Sequence, residues 1–337
     1  MIDISDMNVL ETYLVGGKFV RKGDGHEIKY LSGGVSGRVA FVDRKNSAPL
    51  IVKQALQKLK TKADWECDPS RMETEAEAND VYYKIVPDSA PKVLYYDKDE
   101  YIYVREALPE SWRMWKDDLM KGIVDYNLAR KSIEALLKVH EVSAGSFEVK
   151  EKFSSKEVFD NLRIDPYIRY TVGKYPNLEE KSKDVISLLL DSSIALVHGD
   201  YSPKNIMTDG NAISVLDFEV AHCGHPAFDL AFFFNHFILK AVKFDAFGGG
   251  YLAAMAYMND IYMAGCTYMD RYALERDVMK VLPFLLLARV DGKSPVEYLV
   301  GDEERMNSVR RIAFSLFSKE IVSLSDVVKI YNDEVKA

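Results

Sequence analysis

Cysteine is scarce in this chain. Three residues, Cys67, Cys223 and Cys266, are scattered along 337 positions. So few and so dispersed a set offers no disulfide framework; the fold must rest on a packed core, and a reducing cytoplasm suits it. Basic charge is also short. Lys and Arg number 44 against 52 Asp and Glu, a net charge of −8. Such a surface does not attract a nucleic-acid backbone, although a local basic pocket for a phosphorylated ligand remains compatible with it. Long apolar runs are missing as well. The longest, Ala227 to Val242, is interrupted by Asp229, Asn235, His236 and Lys240. It is too short and too polar to span a bilayer and reads as a buried helix, so no membrane partner is expected. The first residues, MIDISDMNVLETYLVGG, lack the basic and apolar regions of a signal peptide. No repeat or low-complexity segment is evident.

What is present is an ordinary globular composition, 48% hydrophobic and 28% charged. The length suits two lobes. Roughly the first hundred residues are strand-rich, with alternating or β-branched runs at 27–31, 38–43, 50–53, 92–97 and 101–105. One helix interrupts them over 70–85, led by Asp68-Pro69 and ended by Pro87. Beyond about residue 108 long helical patterns dominate, among them 126–141 and 274–289. The second should be kinked or broken at Pro283. A strand-rich island interrupts the helices at 195–218, and Ser294-Pro295-Val296-Glu297 has the residues of a capping box, so a helix should start there. The expectation is an α+β chain with a β-rich lobe over 1–107 and a mainly helical lobe over 108–337.

The strongest chemical signal is His198-Gly199-Asp200-Tyr201-Ser202-Pro203-Lys204-Asn205, followed 17 residues after Asp200 by Asp217-Phe218-Glu219 at the end of an apolar strand. Taken singly, a His-Gly-Asp turn and a strand-end aspartate are common loop features. Their joint spacing fits phosphoryl transfer, which needs a carboxylate to take the proton of an attacking hydroxyl and hard oxygen ligands to hold Mg²⁺ against ATP. Asp200 can be the base, and Asn205 and Asp217 the metal ligands. Upstream, Leu31-Ser32-Gly33-Gly34-Val35-Ser36-Gly37 joins two strands, and its glycines would let backbone N–H groups approach phosphates. Lys53 then sits inside an apolar strand. There it is either an outward edge residue or a phosphate ligand partnered by Glu73, Glu75 or Glu77 on the next helix.

These segments resemble the aminoglycoside phosphotransferase and choline kinase superfamily, through HGDYSPKN and through VLDFEVAHCGHPAFDLAFFFNHF at 215–237. The resemblance covers most of the chain and implies a bilobal protein-kinase-like fold. It implies Asp200 as catalytic base, Asn205 and Asp217 on Mg²⁺, and Lys53 on the phosphates of ATP. Ser32, Gly33, Gly34 and Ser36 would cover the nucleotide, and the hinge around Val104 and Glu106 would receive adenine. A narrower stretch, Ile51-Val52-Lys53-Gln54-Ala55-Leu56 with Trp65, Arg71 and Glu75-Ala76, is similar to methylthioribose kinase. It selects Glu75 as the lysine's partner, and the pair Arg310-Arg311 matches that family's paired arginines, which would hold substrate or phosphate. The chain departs from that family in its Ser-Pro-Lys-Asn loop and in having Asp217-Phe218-Glu219 where the family has Asp-Pro-Glu. The acceptor is therefore left open among a sugar such as methylthioribose, choline or ethanolamine, and an aminoglycoside.

Other candidates are weaker. Glu219 and Arg289 could face a substrate, although Arg289 and Asp291 could equally cap a helix. Trp65, Trp112 and Trp115 could box a cation, with core packing the default. Lys58, Lys60 and Lys62 suit a solvated face. Asp229 should tie down loop amides from the first turn of its helix, and His198 should orient the loop. His222, Cys223 and His225 would need further ligands to hold zinc, although His198, His222 and His225 allow a metal-dependent hydrolase as a rival reading. A second rival is a non-catalytic kinase-like binding module. The expected partner is a small-molecule substrate, with the chain a monomer or homodimer.

Overall fold

The computed structural model describes residues 1–21, 25–31, 37–45, 47–55, 68–319 and 323–335. The chain divides into two compact units. One comprises Met1–Trp112 with Ser214–Glu219, the other Arg113–Ile213 with Val220–Ala337.

The first unit is built on a five-stranded antiparallel sheet. The strand order is His26–Leu31, Gly37–Arg44, Ser47–Ala55, Ile102–Glu106 and Val93–Asp97. Strand period two sorts its side chains onto two faces. On one face Leu50, Val52, Ile102 and Val104 pack with Leu10 and Leu14 of helix Met7–Gly16. Full burial of each such leucine contributes about 1.5–3 kcal/mol. This amino-terminal helix was not expected from the strand-rich pattern. Its signal is Asp6, whose carboxylate accepts from the N–H groups of Asn8 and Val9. On the other face Ala55 and Tyr103 pack with Met72 and Ala76 of helix Arg71–Ile85. Gln54, on the first face, joins the amino-terminal segment to the sheet by bonding the Ile2 carbonyl at 2.8 Å and the Ile4 N–H at 3.3 Å.

The second unit is mainly helical. Helix Ala227–Lys243 is buried along nearly its whole length, and helices Gly248–Gly265, Arg271–Asp291 and Glu303–Ser318 pack against it. Among the described residues no helix is long and apolar enough to cross a membrane. Two expectations are corrected here. Helix Arg271–Asp291 is not broken at Pro283 but runs through it. Its neighbours from Val281 to Ala288 are all buried, and that packing outweighs the lost backbone bond. No helix starts at Ser294. The next begins at Glu303, capped by Asp302, whose carboxylate accepts from the Arg305 N–H. The Ser294 carbonyl and hydroxyl instead accept from Arg289, and the Val296 N–H bonds the Arg289 carbonyl at 2.9 Å, which draws the segment into a turn.

Candidate active site

In the first unit the chemistry centres on Lys53. Its strand is the middle one of five, so it is not an edge lysine. Strand alternation turns its side chain, with that of Ala55, toward helix Arg71–Ile85. There its ammonium meets Glu75 Oε1 at 2.8 Å and Asp217 Oδ1 at 2.7 Å. Glu73, half-buried, pairs with Lys98 instead. Burial works against the charge of Lys53, but Asp217 and Glu75 outweigh it and hold its pKa above the ordinary lysine value. One ammonium shared by two carboxylates leaves the more buried carboxylate the less stable anion. Burial pushes Glu75 up to about 7 against the pull of Lys53.

Asp217 has a left-handed backbone, φ 72°. That conformation is costly for a side-chain-bearing residue and collects at functional sites, with aspartate among the residues that tolerate it best. Two residues on, Glu219 accepts from Arg71 Nε at 3.0 Å with both side chains buried, so it is tied to the start of the helix that carries Glu75. Val104 is buried in the sheet. At the strand's end the N–H groups of Glu106 and Ala107 bond the carbonyls of Lys92 and Pro49, both at 3.0 Å. Ser32, Gly33, Gly34, Ser36, Trp65, Lys58, Lys60 and Lys62 lie outside the described residues.

In the second unit the loop from His198 to Asn205 is held from several sides. Asp229, fully buried, accepts from the N–H of His198 at 2.7 Å and of Gly199 at 2.9 Å, and His140 Nε2 lies 3.2 Å away. Burial opposes the charge of Asp229, but these bonds hold its pKa below the ordinary carboxylate value. His198 Nδ1 accepts from the Asp200 N–H at 3.1 Å. Gly199 has φ +76°, and a Cβ there would stand 2.7 Å from the Val220 carbonyl oxygen, so only glycine fits.

The result is a fixed Asp200, 6% exposed. Its Oδ1 is 3.1 Å from Arg163 Nη2. Its Oδ2 takes Asn205 Nδ2 at 2.8 Å and Lys204 Nζ at 3.4 Å. Asn205 Nδ2 also bonds the Asp200 carbonyl at 3.0 Å. With its nitrogen so committed, Asn205 has its carbonyl oxygen left for a cation, a hard donor of the kind Mg²⁺ takes. Arg163 was not singled out in the sequence. It lies on the π-helical segment Asp160–Arg169 and reaches the Gly199 carbonyl at 2.7 Å through Nε.

The remaining candidates scatter. His222 stacks on Phe159 and bonds the Val220 carbonyl, and burial pushes its pKa down to about 4. His225 faces Asp277 at 3.3 Å. Among the described residues no group of three or more His, Cys, Asp and Glu could hold a metal. Arg310 forms a two-pronged pair with Asp291 at 2.7 and 3.0 Å, whereas Arg311 reaches Ser308 and the Glu334 carbonyl, so the two arginines have separate intramolecular partners. Arg289 bonds the Tyr167 hydroxyl at 3.0 Å. Trp115 is fully buried against Phe233 and Phe237, in the core.

Comparison with known proteins places these groups in a family. A methylthioribose kinase of Bacillus velezensis is 25% identical over 229 residues, 60% of this chain and 58% of that protein. One from Geobacillus kaustophilus is 24% identical over 232 residues. The chain thus spans less than two thirds of the length of the curated relatives it matches. Among solved structures, a choline/ethanolamine kinase family protein from Mesorhizobium loti superposes with a TM-score of 0.57 at 15% identity, covering 98% of this chain and 99% of that one. An ethanolamine kinase of Plasmodium vivax gives 0.53 at 15%, covering 98% and 87%. These structures share the α+β fold, an antiparallel sheet followed by a mainly helical region. Residues 27–260, which include Lys53, Glu75, Asp200, Asn205 and Asp217, match a single family, and the chain belongs to the APH phosphotransferase enzyme family.

Proposed function

We propose that the chain transfers the γ-phosphoryl group of ATP to a hydroxyl of a small molecule. The observation that carries this reading is the Lys53–Glu75–Asp217 cluster, where residues distant in sequence meet within 2.8 Å around one buried ammonium. Lys53 would pair with phosphate oxygens once a nucleotide competes for it, with Glu75 holding its ammonium. Asp200 accepts the proton of the acceptor hydroxyl, whose oxygen forms the new bond to phosphorus as the bond to ADP breaks and ADP leaves with the electron pair. Arg163 and Asn205 keep that carboxylate in one orientation, and Asp229 keeps the loop beneath it from shifting. Asn205 and Asp217 would hold Mg²⁺, which when bound neutralises charge on the phosphates. We assign the hinge at Val104 and Glu106 to adenine.

The relatives' names put methylthioribose among the acceptors to screen, beside other sugars, polyols and amino alcohols. A binding module without catalysis is disfavoured because the lysine, its glutamate, the base and both oxygen ligands are all present. The test is an ATP-consumption screen with Mg²⁺ against sugars, polyols, amino alcohols and aminoglycosides. Acceptor-dependent release of ADP supports the proposal. Failure of the protein to bind Mg·ATP would refute it.

A further inference from the structure

Near Asp200, within the helical unit, lies a concentration of positive charge that the reading above does not use. Lys240 is 1% exposed, and its ammonium bonds only the backbone carbonyl of His236, one turn earlier on its own helix, at 3.3 Å. Among the described residues it has no carboxylate partner. Its other neighbour is the ring of Tyr298, 5.4 Å away. Glu297, next to Tyr298 in the chain, is exposed and engaged by Lys116. A buried ammonium without a counter-charge is costly and calls for a partner.

Arg289 stands beside the same segment, its carbonyl taking the Val296 N–H two residues before Tyr298. Burial pushes His236 well below the ordinary histidine value, and the charges of Lys240, Arg289, Lys204 and Lys116 add to that shift. Two polar atoms of this region, Arg289 Nε and the Tyr298 hydroxyl, are buried without a hydrogen-bond partner among the described residues. Each can donate, and with Lys240, whose one acceptor is a backbone carbonyl, they form a set of donors short of acceptors. The set is joined to the candidate base. Arg163, whose Nη2 is 3.1 Å from Asp200, lies over the rings of Tyr167 and Phe232. Tyr167 accepts from Arg289, and Phe232 meets His236 edge-on at 5.5 Å. Lys116 is anchored to the same loop by its N–H, which bonds the Pro203 carbonyl at 3.0 Å.

We propose that the phosphate acceptor carries an oxyanion, a carboxylate or a phosphate ester, which binds among Lys240, Arg289 and Tyr298 while its hydroxyl faces Asp200. This rests on the kinase reading and narrows its substrate to hydroxylated anions. Choline is positively charged, methylthioribose is neutral, and neither offers this cluster an acceptor of the required charge. In a chain of net negative charge, as here, a local concentration of cations favours an anionic ligand at that place.

The test uses matched probes: ribose 5-phosphate and glycerate as oxyanions, ribose and glycerol as their neutral parents, with methylthioribose and choline alongside. Wild type and Lys240→Met are titrated calorimetrically with each probe in the presence of Mg²⁺ and a non-hydrolysable ATP analogue, and turnover is measured with ATP. The expected result is binding and turnover of an oxyanion probe at least tenfold better than its neutral parent. Lys240→Met should weaken that binding at least tenfold and leave ATP affinity unchanged. Phosphate-bearing and carboxylate-bearing probes distinguish the two sources of charge. The proposal is overturned if a neutral or cationic probe binds better than every oxyanion, if no oxyanion binds, or if Lys240→Met binds the anion as wild type does. Failure to bind the ATP analogue would instead overturn the kinase reading.

Discussion

Replacing Lys240 should change how stability depends on pH, by an amount the structure allows to be worked out. Burial first, then Lys116 and Arg289, lowers the Lys240 pKa from 10.5 to about 7, with Glu297 opposing. The groups that face it are His236 on its own helix, Lys116, Arg289, and Glu297 with Tyr298. Because the folded-state pKa lies below that of the unfolded chain, the unfolded chain carries the extra proton between these values. Stability must therefore rise with pH across that window. Each pH unit is worth at most about 1.4 kcal/mol, and half-protonation at pH 7 reduces the gain between pH 7 and pH 9 to about 2 kcal/mol. Lys240→Met is close in shape and removes the buried charge. It should fold, be more stable than wild type at pH 7, and lose that advantage as pH rises. Urea denaturation of both proteins at pH 7, 8 and 9, followed by circular dichroism, gives the difference directly, and shared titrations cancel in it. Parallel stability curves for the two proteins would refute the reasoning.

The other substitutions act closer to the candidate site. Asp229→Asn turns three charge-assisted bonds, from His198, Gly199 and His140, into neutral or mismatched ones. At about 1 kcal/mol each, the loss should be about 3 kcal/mol in urea titration, and a change under about 1 kcal/mol would count against Asp229 as the anchor of the loop. Gly199→Ala imposes a left-handed alanine whose Cβ meets the Val220 carbonyl oxygen at 2.7 Å. It should cost about 2–4 kcal/mol and lower transfer activity, read by melting and turnover. Lys53→Met should weaken Mg·ATP binding at least about tenfold in calorimetry while the protein stays folded, because the ammonium that meets the phosphates is gone.

Much of the site was legible because its chemistry is written in local runs of sequence. Asp200, Asn205 and Asp217 stand out by spacing. Asp229 was read correctly as a clamp on loop amides because its place in the first helical turn dictates what its carboxylate can reach. Lys53 was ambiguous until strand order was known. An apolar strand with one lysine looks the same at an edge and in the centre, and only the third position among five strands decides it. What sequence could not give are partners set by tertiary packing. Arg163 reaches the loop at Gly199 across 36 residues and His140 reaches its clamp, Asp229, across 89, and no local period marks them. Lys240 was visible as an interruption of an apolar run, but its isolation from carboxylates is a property of the packed helices. The false helix start at Ser294 has a similar origin, because Arg289 claims the groups that a cap would have used. Helix Met7–Gly16 was missed because its cap, Asp6, stands among other acidic residues and its apolar face is short.

The central claim is that Asp200 accepts the acceptor's proton during phosphoryl transfer. The most direct measurement is single-turnover transfer of labelled γ-phosphate by wild type and Asp200→Asn, with the acceptor found by screening and with ATP affinity measured in parallel. The account predicts a rate loss of about 10²–10⁴ with ATP affinity within about threefold of wild type. Transfer by Asp200→Asn within about tenfold of wild type would contradict it.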